Sequence, residues 1–177
     1  MTRYVCLLRG VNVNGATVKS AALTAAIEAL GYTAVRTVLA SGNVVFDAAD
    51  AEPLAVKAAV EAQLRTVFGY DAWVVLLTGE QLRAIVADFP FDAERSNWHP
   101  YVLSGSDETV LDELMAAGAD LDPAVESIRR GSGVIYWHVD RAVGIDSPFA
   151  KVTAKTRYRA TTTTRNLRTL VKVLAVV

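Results

Sequence analysis

Hydrophobic and polar positions along this chain change period repeatedly, from the two-residue repeat of strands to the 3.6-residue repeat of helices. In residues 1–77, short apolar blocks predict four strands, and two amphipathic stretches predict helices. The predicted strands are 3–9, 33–40, 43–48 and 71–77, and the predicted helices are 18–30 and 53–68. The resulting order, β-α-β-β-α-β, is that of a ferredoxin-like half.

Residues 78–177 show a related pattern. Thr78 is a good N-cap for a helix over 78–89, and a loop containing Pro, Asp and Asn follows at 90–100. The remaining predicted strands are 99–104, 124–130 and 133–140, and the remaining helices are 107–118, 147–156 and 164–175. From 99 onward the order β-α-β-β-α-α echoes the first half, although no matching residues relate the halves. We therefore predict an α+β fold of two ferredoxin-like halves with mainly antiparallel sheets, divided into 1–77 and 78–177.

The composition is that of an ordinary globular protein, with 177 residues of which 52% are hydrophobic and 21% are charged. No apolar stretch approaches the roughly 18 residues that span a bilayer. The short apolar run near the start leads into polar Asn and Gly, without the cleavage site of a signal peptide. A single cysteine, Cys6, excludes an internal disulfide framework and fits a reducing compartment. We expect a cytoplasmic protein that does not contact a membrane.

The net charge of −1 conceals a strong asymmetry along the chain. Residues 71–128 hold two basic and twelve acidic side chains, net −10, whereas residues 129–177 hold ten basic and two acidic side chains, net +8. One interpretation is that the acidic and basic regions screen each other. The other is that the basic third faces an anionic partner.

The inventory for metal or acid–base chemistry is small. The chain has two histidines, His99 and His138, and neither belongs to a metal-ligand spacing, so we expect no metal and no cofactor. Cys6 lies in a predicted central strand, where a thiol is an inert small hydrophobe. We find no nucleophile with an adjacent base. The sequence does not decide whether the protein is an enzyme, but it favours a protein without enzymatic activity.

Three polar segments stand out. The first is the loop 9–15, where Arg9 and Asn12 accompany glycines that let backbone N–H groups approach a ligand. The second is Ser41-Gly42-Asn43, which also reads as a hairpin turn. The third is 161–169, where a predicted helix would begin with Thr163 or Thr164 as its cap. Its first turn would then hold Arg165, Asn166 and Arg168, although cations are unfavourable at the positive end of a helix.

These segments together resemble a bacterial family called domain of unknown function 1697. The family shows L-R-G-I-N-V-G-G near the start, S-G-N-V-V-F after the first helix, and T-x-R-N-W-x-T near the end. The matching segments here are LLRGVNVNG (7–15), SGNVVF (41–46) and TTRNLRTLVKVL (163–174). Departures are Asn14 and Leu167, where the family has glycine and tryptophan, and a shorter loop after Gly15 without lysines. The resemblance implies ferredoxin-like α+β subdomains and no established activity.

The predicted ligand site combines the three segments: Arg9, Asn12, Ser41, Asn43, Thr164, Arg165, Asn166 and Arg168. This requires Arg9 and Arg165 to converge in space. The favoured hypothesis is a non-enzymatic binding module for a small ligand that bears phosphate or carboxylate, since arginine pairs with both. A nucleic-acid-binding module is less favoured, because the strands YVCLL and NVVFD lack the aromatic pair of RNA-binding sheets. A purely structural polar network and an enzyme that stabilises an oxyanion with arginine are further alternatives. The oligomeric state is open.

Overall fold

The computed structural model describes residues 1–10, 18–40, 42–49 and 52–177. They form two compact units, one of Met1–Arg83 with Val171–Val177 and one of Ala84–Leu170. The first unit extends past the predicted boundary at 77 and includes the last seven residues of the chain. Within the described residues, no helix is both long and apolar enough to cross a membrane.

The first unit contains a four-stranded antiparallel sheet with the order β2-β3-β1-β4. Its strands are β1 (Thr2–Arg9), β2 (Thr33–Val38), β3 (Asn43–Ala48) and β4 (Trp73–Thr78), and its helices are α1 (Ser20–Glu28) and α2 (Pro53–Phe68). One sheet face packs its apolar side chains, Cys6 and Phe46 among them, against both helices. Pro53 at the first turn and Gly69 in the left-handed region, φ +66°, set the ends of α2.

Helix α3 (Gly79–Ala87) follows β4 directly, and the boundary between the units falls within it. Thr78 and Gln81 form the capping box that starts this helix. The Gln81 amide donates to Thr78 Oγ1 at 3.1 Å, and the Thr78 amide donates to Gln81 Oε1 at 2.8 Å. The predicted role of Thr78 as N-cap is therefore confirmed.

The second unit repeats the topology of the first, with the sheet order β6-β7-β5-β8. Its strands are β5 (Trp98–Gly105), β6 (Glu126–Gly131), β7 (Val134–Asp140) and β8 (Thr162–Asn166), and its helices are α4 (Glu108–Ala117) and α5 (Pro148–Thr153). Helix α6 (Leu167–Leu174) comes directly after β8, as α3 comes after β4. The fold is α+β with two ferredoxin-like halves, as predicted.

The prediction of a final helix over 164–175 is wrong at its start. Residues Thr162–Asn166 form the edge strand β8, which pairs with β5 so that Arg165 lies opposite Val102. The β-branched threonines favour the extended backbone, and β5 supplies a partner for the ladder. Thr163 and Thr164 therefore cap no helix. Asn166 does this instead, because its Oδ1 accepts a hydrogen bond of 3.0 Å from the Arg168 amide.

Candidate functional site

The first predicted segment lies at the end of β1 in the first unit. Arg9 is half-buried and pairs in register with Trp73, while Leu7 pairs with Asn43. Since side chains two apart on a strand share a face, Arg9 and Asn43 lie on the same face of the sheet. Asn12 and Ser41 fall outside the described residues.

Asn43 has a local structural role. It is fully buried, and its Nδ2 donates to the Val38 carbonyl at 2.8 Å across the turn from β2 to β3. Gly42 adopts φ +68°, which side chains disfavour, and its carbonyl accepts from the Leu8 amide at 2.8 Å. Gly42 and Asn43 thus connect β2 and β3 and tie this connection to the central strand β1.

The third segment is divided by the alternation of β8. Thr164 and Asn166 pair with Leu103 and Tyr101, on the sheet face that packs against α4 and α5. Thr163 and Arg165 lie on the opposite face. Arg165 Nη1 donates to Thr163 Oγ1 at 2.9 Å and to the Thr164 carbonyl at 3.0 Å. These two acceptors orient the guanidinium along the strand.

The convergence of Arg9 and Arg165 stays a prediction. Arg9 belongs to the first unit and Arg165 to the second.

A group that sequence reasoning missed lies in the second unit, and we call it the aromatic-basic cluster. Its members are His99, Tyr101, Trp137, Arg141, Asn166 and Arg168. The rings of His99 and Tyr101 have centroids 5.2 Å apart, and those of Tyr101 and Trp137 are 5.1 Å apart. Trp137 is buried, whereas His99 and Tyr101 are half-exposed, so the row of rings runs from the core to the surface.

Two arginines lie near the outer ring of this cluster: the Arg141 amide donates to the Asn97 carbonyl at 2.8 Å, and Arg168 follows Asn166 on the neighbouring strand. Partial burial, and then the positive charges of Arg141 and Arg168, lower the pKa of His99 below its usual value. Burial raises the pKa of Tyr101, and the charge of Arg141 opposes that shift. Arg168 Nη2 lies 3.6 Å from Glu94 Oε2, with side chains 55% and 84% exposed. The described parts of the chain contain no ion pair of Arg141.

The first unit contains a cavity of about 430 Å³, which we do not favour as the site. Its lining residues are Met1, Thr2, Arg3, Thr78, Gly79, Glu80, Arg83 and Val177. The guanidinium of Arg3 already donates to Asp47 Oδ1 at 3.1 Å and to the Val176 carbonyl at 2.8 Å. Its charge is therefore engaged by the protein itself.

His138 is buried, as expected for a structural histidine, but one of its ring nitrogens lacks a hydrogen-bond partner within the described residues. Its side chain is 4% exposed, it stacks on Phe91 with ring centroids 5.6 Å apart, and Trp98 lies at 4.7 Å. Nε2 has no hydrogen-bond partner within the described residues. Burial and then the charge of Arg95 lower the pKa of His138, while Asp92 opposes the shift. The folded chain thus holds this imidazole neutral.

These two histidines predict acid lability. Because both folded-state pKa values lie below the unfolded value of about 6.5, the unfolded chain takes up protons first as the pH falls. Their contribution to stability is complete above about pH 6.5 and is lost as the pH falls toward the folded-state pKa values. We expect the free energy of unfolding, measured by urea titration, to decrease between pH 8 and pH 5.5. His138→Phe should weaken this dependence, and equal slopes for both proteins would contradict the assignment.

The missed residues had only a weak sequence signal. His99 and Tyr101 are two apart in a predicted strand, so a shared face was foreseeable. Arg141 lies some forty residues later, at the end of β7, and reaches His99 only because β5 and β7 pair in register from Trp98 opposite Asp140. Among the described residues, no group of three His, Cys, Asp or Glu side chains is placed to hold a metal ion.

Among known structures, the chain is similar to conserved bacterial protein SP0830 from Streptococcus pneumoniae. The two are 25% identical, the match covers 99% of this chain and 98% of the other, and the TM-score is 0.81. An unknown protein from Galdieria sulphuraria also matches, with 9% identity over 93% of this chain and 96% of the other. Its TM-score of 0.28 supports no conclusion about fold. No curated protein matches the chain.

The sequence profile of one protein family covers most of the chain. It matches residues 1–136, which include the first two motifs and one inner strand of each sheet, β1 and β5. The resemblance noted from the motifs is thereby confirmed: the chain belongs to the family described as protein of unknown function, DUF1697.

Proposed function

We propose that this protein is a non-enzymatic binding module for a small ligand that bears phosphate or carboxylate, and that the ligand binds at the aromatic-basic cluster. The observation that carries the proposal is the placement of two arginines near the half-exposed rings of His99 and Tyr101. The Arg141 amide donates to the Asn97 carbonyl at 2.8 Å, two residues before His99, and the Arg168 amide donates to Asn166, which lies opposite Tyr101. Two positive charges near one another repel, and a bound anion relieves this repulsion. Guanidinium groups also bind phosphate and carboxylate through paired hydrogen bonds.

The acidic partner of Arg168 is weakly held. An ion pair between exposed side chains contributes about 0–1 kcal/mol, because water screens it. Glu94 and Arg168 are exposed and their closest atoms are 3.6 Å apart. A multiply charged anion therefore displaces Glu94 at little cost, and two of the residues predicted from the sequence, Asn166 and Arg168, belong to this site.

Binding of pyrophosphate at low salt tests the proposal. We expect Arg141→Gln and Arg168→Gln each to weaken binding by at least tenfold, because each removes a charged donor to the anion. The matched control is Arg159→Gln, which makes the same charge change at an exposed position of the same unit. Isothermal titration gives the dissociation constants. Equal binding by wild type and all three variants would refute the site.

A structural network is the second candidate, and the contacts of Asn43 and Arg165 favour it. The same titration separates the two candidates when Arg165→Gln is added, together with its thermal midpoint. A lower midpoint with unchanged pyrophosphate affinity means that Arg165 holds the fold. Loss of affinity in Arg165→Gln alone would move the anion site to the other face of the sheet.

A further inference from the structure

We infer that the anion bound at the aromatic-basic cluster carries a flat nitrogen heterocycle, so that the ligand is a nucleotide. This inference rests on the proposed function, because it concerns the same site and names the class of its ligand. It follows from three features beside the guanidinium groups: a row of rings, an oriented amide, and the arrangement of the two along strand β5 and its neighbours.

The row of rings supplies a stacking surface. His99, Tyr101 and Trp137 follow each other at centroid distances of 5.2 and 5.1 Å, with interplanar angles of 35° and 32°. The buried Trp137 lies directly opposite Tyr101 on the neighbouring strand and packs against its ring, which restricts the ring before a ligand arrives. A planar base can extend the row at its half-exposed end, and stacking of a base on an aromatic side chain contributes about 1–3 kcal/mol.

The amide of Asn166 is oriented beside these rings. Asn166 lies directly opposite Tyr101 in the pairing of β8 with β5, on the same sheet face. Its Oδ1 is occupied by the Arg168 amide at 3.0 Å, which leaves Nδ2 as the group available to a ligand. In the described parts of the chain no hydrogen bond uses Nδ2. A carbonyl oxygen or ring nitrogen on the edge of a base is a suitable acceptor.

The three chemistries come from neighbouring backbone positions: His99 and Tyr101 lie on β5, Asn166 lies opposite Tyr101 on β8, Arg168 follows Asn166 by two residues, and the Arg141 amide bonds to Asn97 just before β5. The base would stack on His99 and Tyr101, its edge would accept from Asn166, and the phosphate would lie between Arg141 and Arg168. Inorganic phosphate or a simple carboxylate would use only the last of these. The same chemistry is presented by a free mononucleotide and by an unpaired residue of single-stranded RNA.

A comparison of the affinities for phosphate compounds with and without a base tests the inference. Dissociation constants are measured for pyrophosphate, ribose 5-phosphate, the four ribonucleoside monophosphates and a single-stranded oligouridylate. We expect at least one monophosphate to bind tenfold or more tightly than ribose 5-phosphate, which has the same charged group and no base. In His99→Ala and Tyr101→Leu this ratio should fall toward one. Tyr101→Phe, which keeps the ring, should retain it.

A second readout uses the two histidines of the chain. The carbon-bound ring protons of His99 should shift in proton NMR spectra when a nucleotide stacks nearby, and those of the buried His138 should stay in place. This measurement does not depend on variants that fold poorly. Nucleotide binding without a shift at His99 would overturn the inference.

The outcomes separate this inference from the proposed function. Nucleotides that bind no better than ribose 5-phosphate, while pyrophosphate binds, would overturn the inference and leave the anion site standing. Failure of every phosphate to bind would refute both. Oligouridylate that binds tenfold more tightly than any monophosphate, with strong salt dependence, would support the shared chemistry and identify nucleic acid as its source.

Discussion

Replacing Glu126 by alanine is expected to lower the free energy of unfolding by about 3–5 kcal/mol. Glu126 begins β6 and is only 1% exposed. Its carboxylate accepts three hydrogen bonds: from Trp137 Nε1 at 2.9 Å, from Ser147 Oγ at 2.8 Å and from the Phe149 amide at 3.0 Å. Alanine leaves these three buried donors without an acceptor, and each unsatisfied donor costs about 1–3 kcal/mol.

The expected loss of stability also follows from where Glu126 lies, because it connects three elements of the second unit. The Ser147 hydroxyl and the Phe149 amide belong to the start of α5, so Glu126 joins that helix to β6 and to the ring of Trp137 on β7. Urea titration of wild type, Glu126→Ala and Glu108→Ala measures the effect. Glu108 is the control, because its side chain is 68% exposed and its partner Arg130 keeps a second ion pair with Asp112 in the variant. A Glu126→Ala protein within 1 kcal/mol of wild type would contradict the argument.

Replacing Glu61 by alanine is expected to cost about 2–3 kcal/mol in the free energy of unfolding. Glu61 lies on the inner side of α2 and is 9% exposed. Its Oε1 accepts a hydrogen bond of 3.0 Å from the buried amide of Val74, which ties the helix to β4. The same oxygen pairs with Lys57, one helical turn earlier. The substitution leaves the Val74 amide without this acceptor. Within the described residues, no other side chain of α2 accepts a hydrogen bond from it.

The control for this prediction is Glu28→Ala, which removes a carboxylate from an exposed position of α1 in the same unit. We expect it to change the free energy of unfolding by less than about 0.5 kcal/mol, as is usual at the surface. Both variants are compared in urea at pH 8, where the histidine effect is complete. Equal stability of Glu61→Ala and Glu28→Ala would show that the contact to Val74 contributes nothing.

The local pattern of hydrophobic and polar residues predicted most of the fold. Helix α2 shows why such a prediction succeeds. The helix runs from Pro53 to Phe68, as predicted, because the apolar period, the proline at its start and the glycine at its end agree. Each of these signals acts within one turn of the chain. The strands of the first sheet were predicted for the same reason, since each is a short apolar block between turns.

The last strand was not predicted, because its local signals are ambiguous. Thr163 and Thr164 are good helix caps as well as good strand residues, and Arg165 is tolerated in both. The pairing of Thr162–Asn166 with β5 decides between them, and β5 lies some sixty residues earlier. A helix would have gathered Thr164, Arg165 and Arg168 around one end. A strand separates Arg165 from Asn166 by the thickness of the sheet.

Only two of the six residues of the candidate site were among those predicted, for a related reason. The sequence marked Asn166 and Arg168 as unusual, because arginine and asparagine next to a helix start suggest an anion. His99, Tyr101 and Arg141 come from other segments, and no spacing along the chain connects them with Asn166.

By itself, the sequence determined the class of fold, the ends of most helices, the turns that need glycine and the family. These depend on contacts between residues that are close together in the chain, so the hydrophobic period and the capping residues in the sequence indicate them directly. Only the tertiary structure decided that β8 is a strand, which face Arg165 and Asn166 occupy, and that Arg141 and Arg168 lie near the strand that carries His99. Those outcomes depend on register between distant strands, and a shift of one residue in register would send each of these side chains to the opposite face.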